Sequence, residues 1–420
     1  MITTTSCVKE SIVTSQSIQP VTLFIPSLSG GGAERVFVNL ANEFARQSAA
    51  PVDLVVARSG GPLVGAVSSD VRIVDLGKKR VAHAMLPLLG YLRRERPQAL
   101  LSTMSEANVI ALLAWQLAGR PCRIAIRETC AKRSDETVPP GIRQAALRWM
   151  MTRLYPRADT MVVIADDVLA TLQRDGIHPG RCCHIGNPVT PHSASALTSS
   201  TRASASSTPG SISAAGTTAM PSWLELLPRE AQLICSAGRL VEAKGFDLLL
   251  AAFARLQDPR LHLAILGDGP LHQTLLAQAR ELGVEERVHL PGFVAQPQHV
   301  MALSRLFVSS SRREGFPNVL LDALVAGVPI VATHCPGASA DILEHGRHGV
   351  LVPPESVERL VTAMTRALQA PVGTPESRQA RADDFNLSHI ARRYLHEALE
   401  VVEPQPSVEA VSHFCPEERA

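Results

Sequence analysis

Short apolar runs bounded by turn residues alternate with longer helix-like segments along this 420-residue chain, and the alternation happens twice. In the first half, strand-like runs fit residues 21–25, 52–56, 71–76, 99–102, 122–126, 160–164 and 182–185, with helical patterns at 33–47, 82–95, 106–117, 142–154 and 166–174. A repeated strand-then-helix rhythm demands a parallel sheet covered on both faces, because parallel neighbours need a crossover long enough to hold a helix. The rhythm restarts with strands at 233–237, 261–266, 288–290, 306–309, 330–333 and 350–352. Between the halves, 21 of the 27 residues from 193 to 219 are Ser, Thr or Ala and only Arg202 is charged. Such a composition buries too little apolar surface to offset its ordering entropy and reads as a disordered linker.

The expected architecture is therefore α/β, with two Rossmann-like, doubly wound domains facing across a cleft. The first occupies residues 20–190 and the second 223–375, joined by the linker at 191–222. A disordered leader spans 1–19, and residues 376–420 form a C-terminal helix and tail, of which 390–400 packs back on the first domain. Open sheets of this kind bind ligands at the carboxyl ends of their strands.

Composition narrows the class. The 45% hydrophobic content suffices for two cores. Eight cysteines form no Cys-x-x-Cys pair and no regular spacing with histidine, which points to reduced cytosolic thiols and away from a disulfide framework or zinc site. No uninterrupted apolar run is long enough to span a bilayer, and the leader lacks a signal peptide's apolar core. The expected location is cytoplasmic, with any membrane contact peripheral, at the inner face of the cell membrane.

The net charge of +2 hides an asymmetry. Residues 1–189 hold 22 Lys and Arg against 15 Asp and Glu, a balance of +7, and the remainder stands at −5. The first half could thus face an anionic surface through Lys78, Lys79, Arg80, Arg93, Arg94 and Arg96, although solvated helix faces explain the same charges. Arg143, Arg148 and Arg153 step by five, which turns each by roughly 140° on a helix. They form no single basic stripe, so that segment gives membrane docking little support.

The chemistry-bearing motifs sit where strands end. In Glu314-Gly315-Phe316-Pro317-Asn318-Val319-Leu320-Leu321-Asp322, two carboxylates lie eight residues apart around an expected helix start, with Pro317 at its first position. Asp322 is the only Asp, Glu, Lys or Arg between Glu314 and Asp341 and looks isolated in an apolar helix, which is costly without a partner. A ligand is one such partner; a solvated loop carboxylate and a surface break are the alternative. Ser29-Gly30-Gly31-Gly32-Ala33-Glu34-Arg35 follows the first strand and opens a helix, suiting either close approach to an anion or a tight turn. It is no dinucleotide fingerprint, since Arg35 stands at the third glycine position and Ala57-Arg58 offers no acid for a ribose. Gly238-Arg239 follows a strand and Lys244-Gly245 begins the next helix; a lysine there opposes the helix dipole, and a bound anion would justify it. Gly267-Asp268-Gly269-Pro270 reads as a turn, and His334, His345 and His348 as mostly solvated, without metal-ligand spacing.

Four motifs in order, the Gly30 loop, Gly-Arg-Leu-Val-Glu-Ala-Lys-Gly-Phe-Asp from Gly238, Glu-Gly-Phe-Pro-Asn-Val-Leu-Leu-Asp-Ala from Glu314, and Gly-Val-Pro-Ile-Val-Ala-Thr from Gly327, resemble the family-4 retaining glycosyltransferases of the two-Rossmann B type over residues 22–370 apart from the linker. The resemblance implies that Arg239 and Lys244 bind a donor diphosphate and that Glu314 contacts the donor sugar. Gly31, Gly32 and the backbone of Phe316, Asn318 and Val319 would approach the phosphates, with Phe293 and Val294 at the base. Asp322 stands where the family usually has a glutamate on the ribose, one methylene longer. The implied activity moves a hexose or N-acetylhexosamine from a nucleoside-diphosphate sugar, UDP first, to a hydroxyl of a growing glycan. No metal, cofactor or nucleic acid is expected; the partners are the donor and a glycan or lipid-linked glycan acceptor. The competing identities are a non-catalytic sugar-nucleotide-binding partner, favoured by Asp322, and a sugar-nucleotide epimerase on the same plan.

Overall fold

The computed structural model describes residues 19–129, 141–189, 222–294 and 296–401. The expected leader, apart from its last residue, and nearly all of the expected linker lie outside them, as do Cys7, Cys130 and Cys415. The described cysteines Cys122, Cys182, Cys183, Cys235 and Cys335 are all free thiols.

Among the described residues the first half builds a seven-stranded sheet from β1 (Val21–Ser27), β2 (Val52–Arg58), β3 (Val71–Asp75), β4 (Ala99–Thr103), β5 (Arg123–Glu128), β6 (Thr160–Val163) and β7 (Cys182–His184), ordered β3-β2-β1-β4-β5-β6-β7. The second builds a six-stranded sheet from β8 (Gln232–Ala237), β9 (Leu261–Leu266), β10 (Val288–His289), β11 (Leu306–Ser309), β12 (Ile330–Thr333) and β13 (Val350–Val352), ordered β10-β9-β8-β11-β12-β13. Neighbouring strands pair in parallel throughout, from β1 on β2 to β12 on β13. Every residue of β4, β6, β9, β11 and β12 is buried. Helices cover both faces, which is why these strands read as continuous apolar runs instead of alternating ones.

The helices of the first domain are α1 (Gly32–Gln47), α2 (Met85–Glu95), α3 (Ser105–Leu117), α4 (Ile142–Leu154) and α5 (Asp166–Arg174). Those of the second are α6 (Phe246–Phe253), α7 (His272–Glu281), α8 (Pro297–Ala302), α9 (Asn318–Ala326), α10 (Ser339–Ile342), α11 (Val357–Gln369) and α12 (Pro375–Asp383). The chain then returns to the first domain as α13 (Leu387–Arg393). There Gln47 donates to the Ser388 carbonyl at 3.0 Å, and Ile390, Ala391, Tyr394 and Leu395 join the core around α1.

Strand order reverses between β1 and β4 in one sheet and between β8 and β11 in the other. Loops leaving a reversal diverge to opposite faces, so a crevice opens between them. Contacts across the two domains fix how the crevices face. The Asp167 carboxylate accepts the Gly337 N–H at 3.1 Å, and His184, 3.3 Å from Asp166 of its own domain, stands 3.9 Å from Asp341 of the second.

Candidate active site

At the β8/β11 reversal the two lysine and glutamate motifs meet. Lys244 Nζ lies 2.6 Å from Glu314 Oε1, and the Ser311 hydroxyl donates to the same oxygen at 2.6 Å. The glutamate side chain is 8% exposed and the lysine 21%, so the pair is largely withdrawn from water. Its aliphatic stem runs beside Gly238, next to Arg239. Arg239 itself is exposed, and among the described residues its side chain makes no hydrogen bond or ion pair. Lys244 does not begin a helix as expected: it closes a short 3-10 turn (Glu242–Lys244), Gly245 follows in the left-handed region, and α6 starts at Phe246. The charge that justifies the lysine is within the chain, at Glu314.

The two loops are locked backbone to backbone. Arg312 N–H donates to Ala243 O at 2.8 Å and the Ser310 hydroxyl to Lys244 O at 3.0 Å. Gly245, at φ +61°, approaches so closely that a Cβ would lie 2.2 Å from Ser310 O; a Cβ on Gly337, at φ +131°, would lie 2.4 Å from Glu314 O. Neither position admits a side chain without moving the loop that carries Glu314. Arg312 clamps both Asp247 oxygens at 2.6 Å and reaches Glu355 at 2.7 Å. The guanidinium hydrogen bonds hold the Asp247 carboxyl below the usual aspartate value.

Pro317, expected inside the helix, instead precedes it: its ψ of 86° is not helical, and α9 begins at Asn318. Asn318 and Asp322 still share a face, one turn apart. Asp322 is not isolated, as the sequence suggested, but half-buried and engaged with a partner inside the protein. The Asn318 N–H is turned onto Phe316 O at 3.0 Å, and its side-chain oxygen accepts from Asn187 of the first domain at 2.9 Å. Phe316 packs edge-on against Phe385 with centroids 6.1 Å apart. Val319 and Val294 are half-buried against the core, whereas Phe293 is 78% exposed and offers an open ring face.

The first domain's reversal is arranged differently. Gly31 caps α1, and its N–H donates to the Glu34 carboxylate at 2.9 Å, with Ser27 donating to the other oxygen at 2.5 Å. That terminus already holds an anion, its own. Gly32 remains open, with nothing within 4 Å of where a Cβ would be. Across the reversal, Met104 is held at φ +75°, a costly conformation for a side chain of that size. Behind it lies a polar network that sequence reasoning missed: the Tyr155 hydroxyl donates to Glu128 at 2.7 Å, Ser105 does so at 3.2 Å, and Arg127, 1% exposed, bonds Asn187 and Thr103. Burial and the Glu128 charge push the Tyr155 hydroxyl well above its ordinary value.

Of the three histidines read as mostly solvated, His334 and His345 are exposed and His348 is buried beside Glu344 at 3.1 Å. Among the described residues no group of three or more His, Cys, Asp or Glu side chains is placed to hold a metal ion.

Comparison with known proteins bears on the family and the fold. Residues 224–383 match the glycosyl transferases group 1 model and residues 31–188 the glycosyl transferase 4-like domain. The chain is 30% identical over 250 residues to N-acetylgalactosamine-N,N'-diacetylbacillosaminyl-diphospho-undecaprenol 4-alpha-N-acetylgalactosaminyltransferase of Campylobacter jejuni, covering 59% of this chain and 61% of that one. It is 37% identical over 125 residues to the lipopolysaccharide core biosynthesis glycosyltransferase LpsE of Rhizobium meliloti, covering 30% of this chain and 36% of that one. The chain thus spans less than two thirds of these relatives. Among solved structures, Anabaena HepE in complex with UDP superposes with a TM-score of 0.68 at 18% identity, over 90% of this chain and 99% of the other. The lipopolysaccharide outer core galactosyltransferase WaaB, also at 18% identity, gives 0.67 over 90% and 98%. With one model matched by each half, the chain belongs to the glycosyl transferases, as a two-domain protein with a 4-like first domain and a group 1 second domain.

Proposed function

We propose that this chain is a retaining glycosyltransferase that moves a hexose or N-acetylhexosamine from a nucleoside-diphosphate sugar, UDP first, to a hydroxyl of a growing lipid-linked or surface glycan. The observation that carries the reading is the Lys244–Glu314 pair at the strand reversal with exposed Arg239 beside it. An ammonium has three donors, so Lys244 can hold Glu314 and a phosphate oxygen together. Arg239 supplies a second cation without giving up an internal partner, and the two would stabilise the charge developing on the leaving diphosphate. Both bonds to Glu314 go to Oε1, which leaves Oε2 to meet a sugar hydroxyl. The reaction would be a front-side displacement in which the leaving phosphate helps deprotonate the acceptor, a step that needs no side-chain base. With two cations on the diphosphate, the proposal includes no metal or cofactor. The relatives' own names support the class: one transfers a sugar to an undecaprenol-diphosphate-linked glycan, another serves lipopolysaccharide core biosynthesis, and HepE was solved with UDP.

Thermal shift of the purified chain against UDP-, GDP- and ADP-sugars tests this. A shift with a UDP-sugar, and release of UDP when acceptor is added, is the expected result; no shift with any of them overturns it. Asp322 favours a second reading, a partner that binds sugar nucleotides without turnover, because its side chain is one methylene shorter than glutamate. UDP binding without UDP release would select that reading, and donor isomerised in the absence of acceptor would select an epimerase.

A further inference from the structure

Arg127 is a buried charge that the proposed reaction does not use. It is 1% exposed, lies over the Phe37 ring of α1 at 5.9 Å from the centroid, and among the described residues makes no ion pair. A guanidinium without a carboxylate is costly in so dry a place unless dipoles answer it. Thr103, at the end of β4, accepts from one terminal nitrogen at 3.3 Å, and the Asn187 oxygen accepts from the other.

Asn187 is itself only 7% exposed. It belongs to residues 185–189, which lead out of β7 and lie against the second domain just where Glu314 gives way to α9. A Cβ on Gly186 would stand 2.9 Å from the Phe316 ring and 3.2 Å from that of Phe385, and the Val189 N–H donates to Phe385 O at 2.7 Å. The first domain therefore touches the loop that carries Glu314 through a close backbone approach with Asn187 in its middle.

Direction is built into the bonds. An arginine has only donors, so Asn187 turns its oxygen to Arg127 and its NH2 group to the second domain. Asn318 then turns its oxygen to Asn187, where it accepts at 2.9 Å. Its own NH2 group is left over and makes no hydrogen bond among the described residues. The Asn318 backbone N–H is taken by Phe316 O, so at this first residue of α9 the side chain is the donor still available. Two amide dipoles in line behind a buried cation polarise one another and leave the positive end on Asn318.

We propose that Asn187 is a positioning residue: it carries the Arg127 charge across the domain boundary and holds the Asn318 amide with its NH2 group toward the donor diphosphate. The inference rests on the transferase reading and adds a first-domain residue to the donor wall. Without the Asn187 NH2 group, the Asn318 amide is free to turn over and set an oxygen against the phosphates.

The test is UDP binding by calorimetry of the full chain, with thermal melting beside it. Asn187→Asp keeps the shape, gives Arg127 a counter-ion and takes away the donor to Asn318. It should melt no lower than wild type and bind UDP about tenfold more weakly. Asn318→Ala should lose a similar amount. Because Asn187 acts through Asn318, the double variant should bind no worse than Asn318→Ala alone, whereas repulsion by the new carboxylate or a general loosening of the domain boundary would add a second loss. Wild-type affinity in either single variant overturns the proposal, and so do additive losses in the double variant. An Asn187→Asp protein that melts well below wild type contradicts the unpaired Arg127 from which the relay starts. If wild type binds no UDP, the transferase reading falls and takes the positioning role with it; UDP binding that neither substitution changes defeats the positioning role alone.

Discussion

At its strand reversal the second domain sets Lys244 against Glu314 and ties their loops backbone to backbone, while the first sets Gly30, Gly31 and Gly32 across from Met104 and keeps Arg127 and Glu128 inside. One topology thus produces a rigid, charged wall and an open, largely uncharged one. A diphosphate needs fixed cations whose reorganisation cost is already met by the fold, and acceptors that vary in shape need room. On the proposed reading the difference divides donor from acceptor.

The largest way to break the contrast is at glycine. Gly245→Ala puts a Cβ 2.2 Å from Ser310 O in the left-handed region and should cost about 3 kcal/mol or more in urea unfolding. Gly32→Ala meets nothing within 4 Å and should stay within about 0.5 kcal/mol of wild type. Similar costs at both would erase the distinction between locked and open loops. Next comes the brace: Arg312→Met strips Asp247 and Glu355 of their partner and should lower stability by about 1–2 kcal/mol, as read by the same unfolding curve.

Acid separates the brace from the domain contact. The folded Asp247 carboxyl titrates below its unfolded value, so its contribution is present above the ordinary aspartate range and is lost as pH falls through the folded value. Asp341 is the reverse. Burial raises its carboxyl, which the Asp166 N–H bond, His184 and His345 oppose and the Asp166 charge supports, so its contribution is present below the ordinary aspartate value and is lost as pH rises through the folded one. Hydrogen exchange, corrected for intrinsic rates, should show the amides around Arg312 loosening on acidification. The smallest effect is Asp322→Glu, which should strengthen UDP binding about threefold, roughly 0.6 kcal/mol in calorimetry. An unchanged constant would mean that the short side chain is not limiting.

Much of this was readable beforehand because parallel strands buried on both faces announce themselves: β9, β11, β12 and β13 fall where the apolar runs do. Lys244 and Glu314 stood out individually, and their meeting across 70 positions follows once β8 and β11 are neighbours. Arg127 and Glu128 were lost because charged residues after an apolar run look like its end, whereas β5 continues through both and buries them. Asn187, whose amide bridges Arg127 to Asn318, carries no local pattern at all. The half-burial of Asp322 depends on tertiary packing, which spacing along the chain does not report.

The most direct test of the charged wall is steady-state transfer from a UDP-sugar by wild type and Glu314→Gln, with the fold of each checked by thermal melting. The charged-wall reading predicts that Glu314→Gln lowers turnover at least tenfold, about 1.4 kcal/mol of barrier, in a protein that still melts cooperatively. Turnover equal to wild type in the folded variant would contradict it.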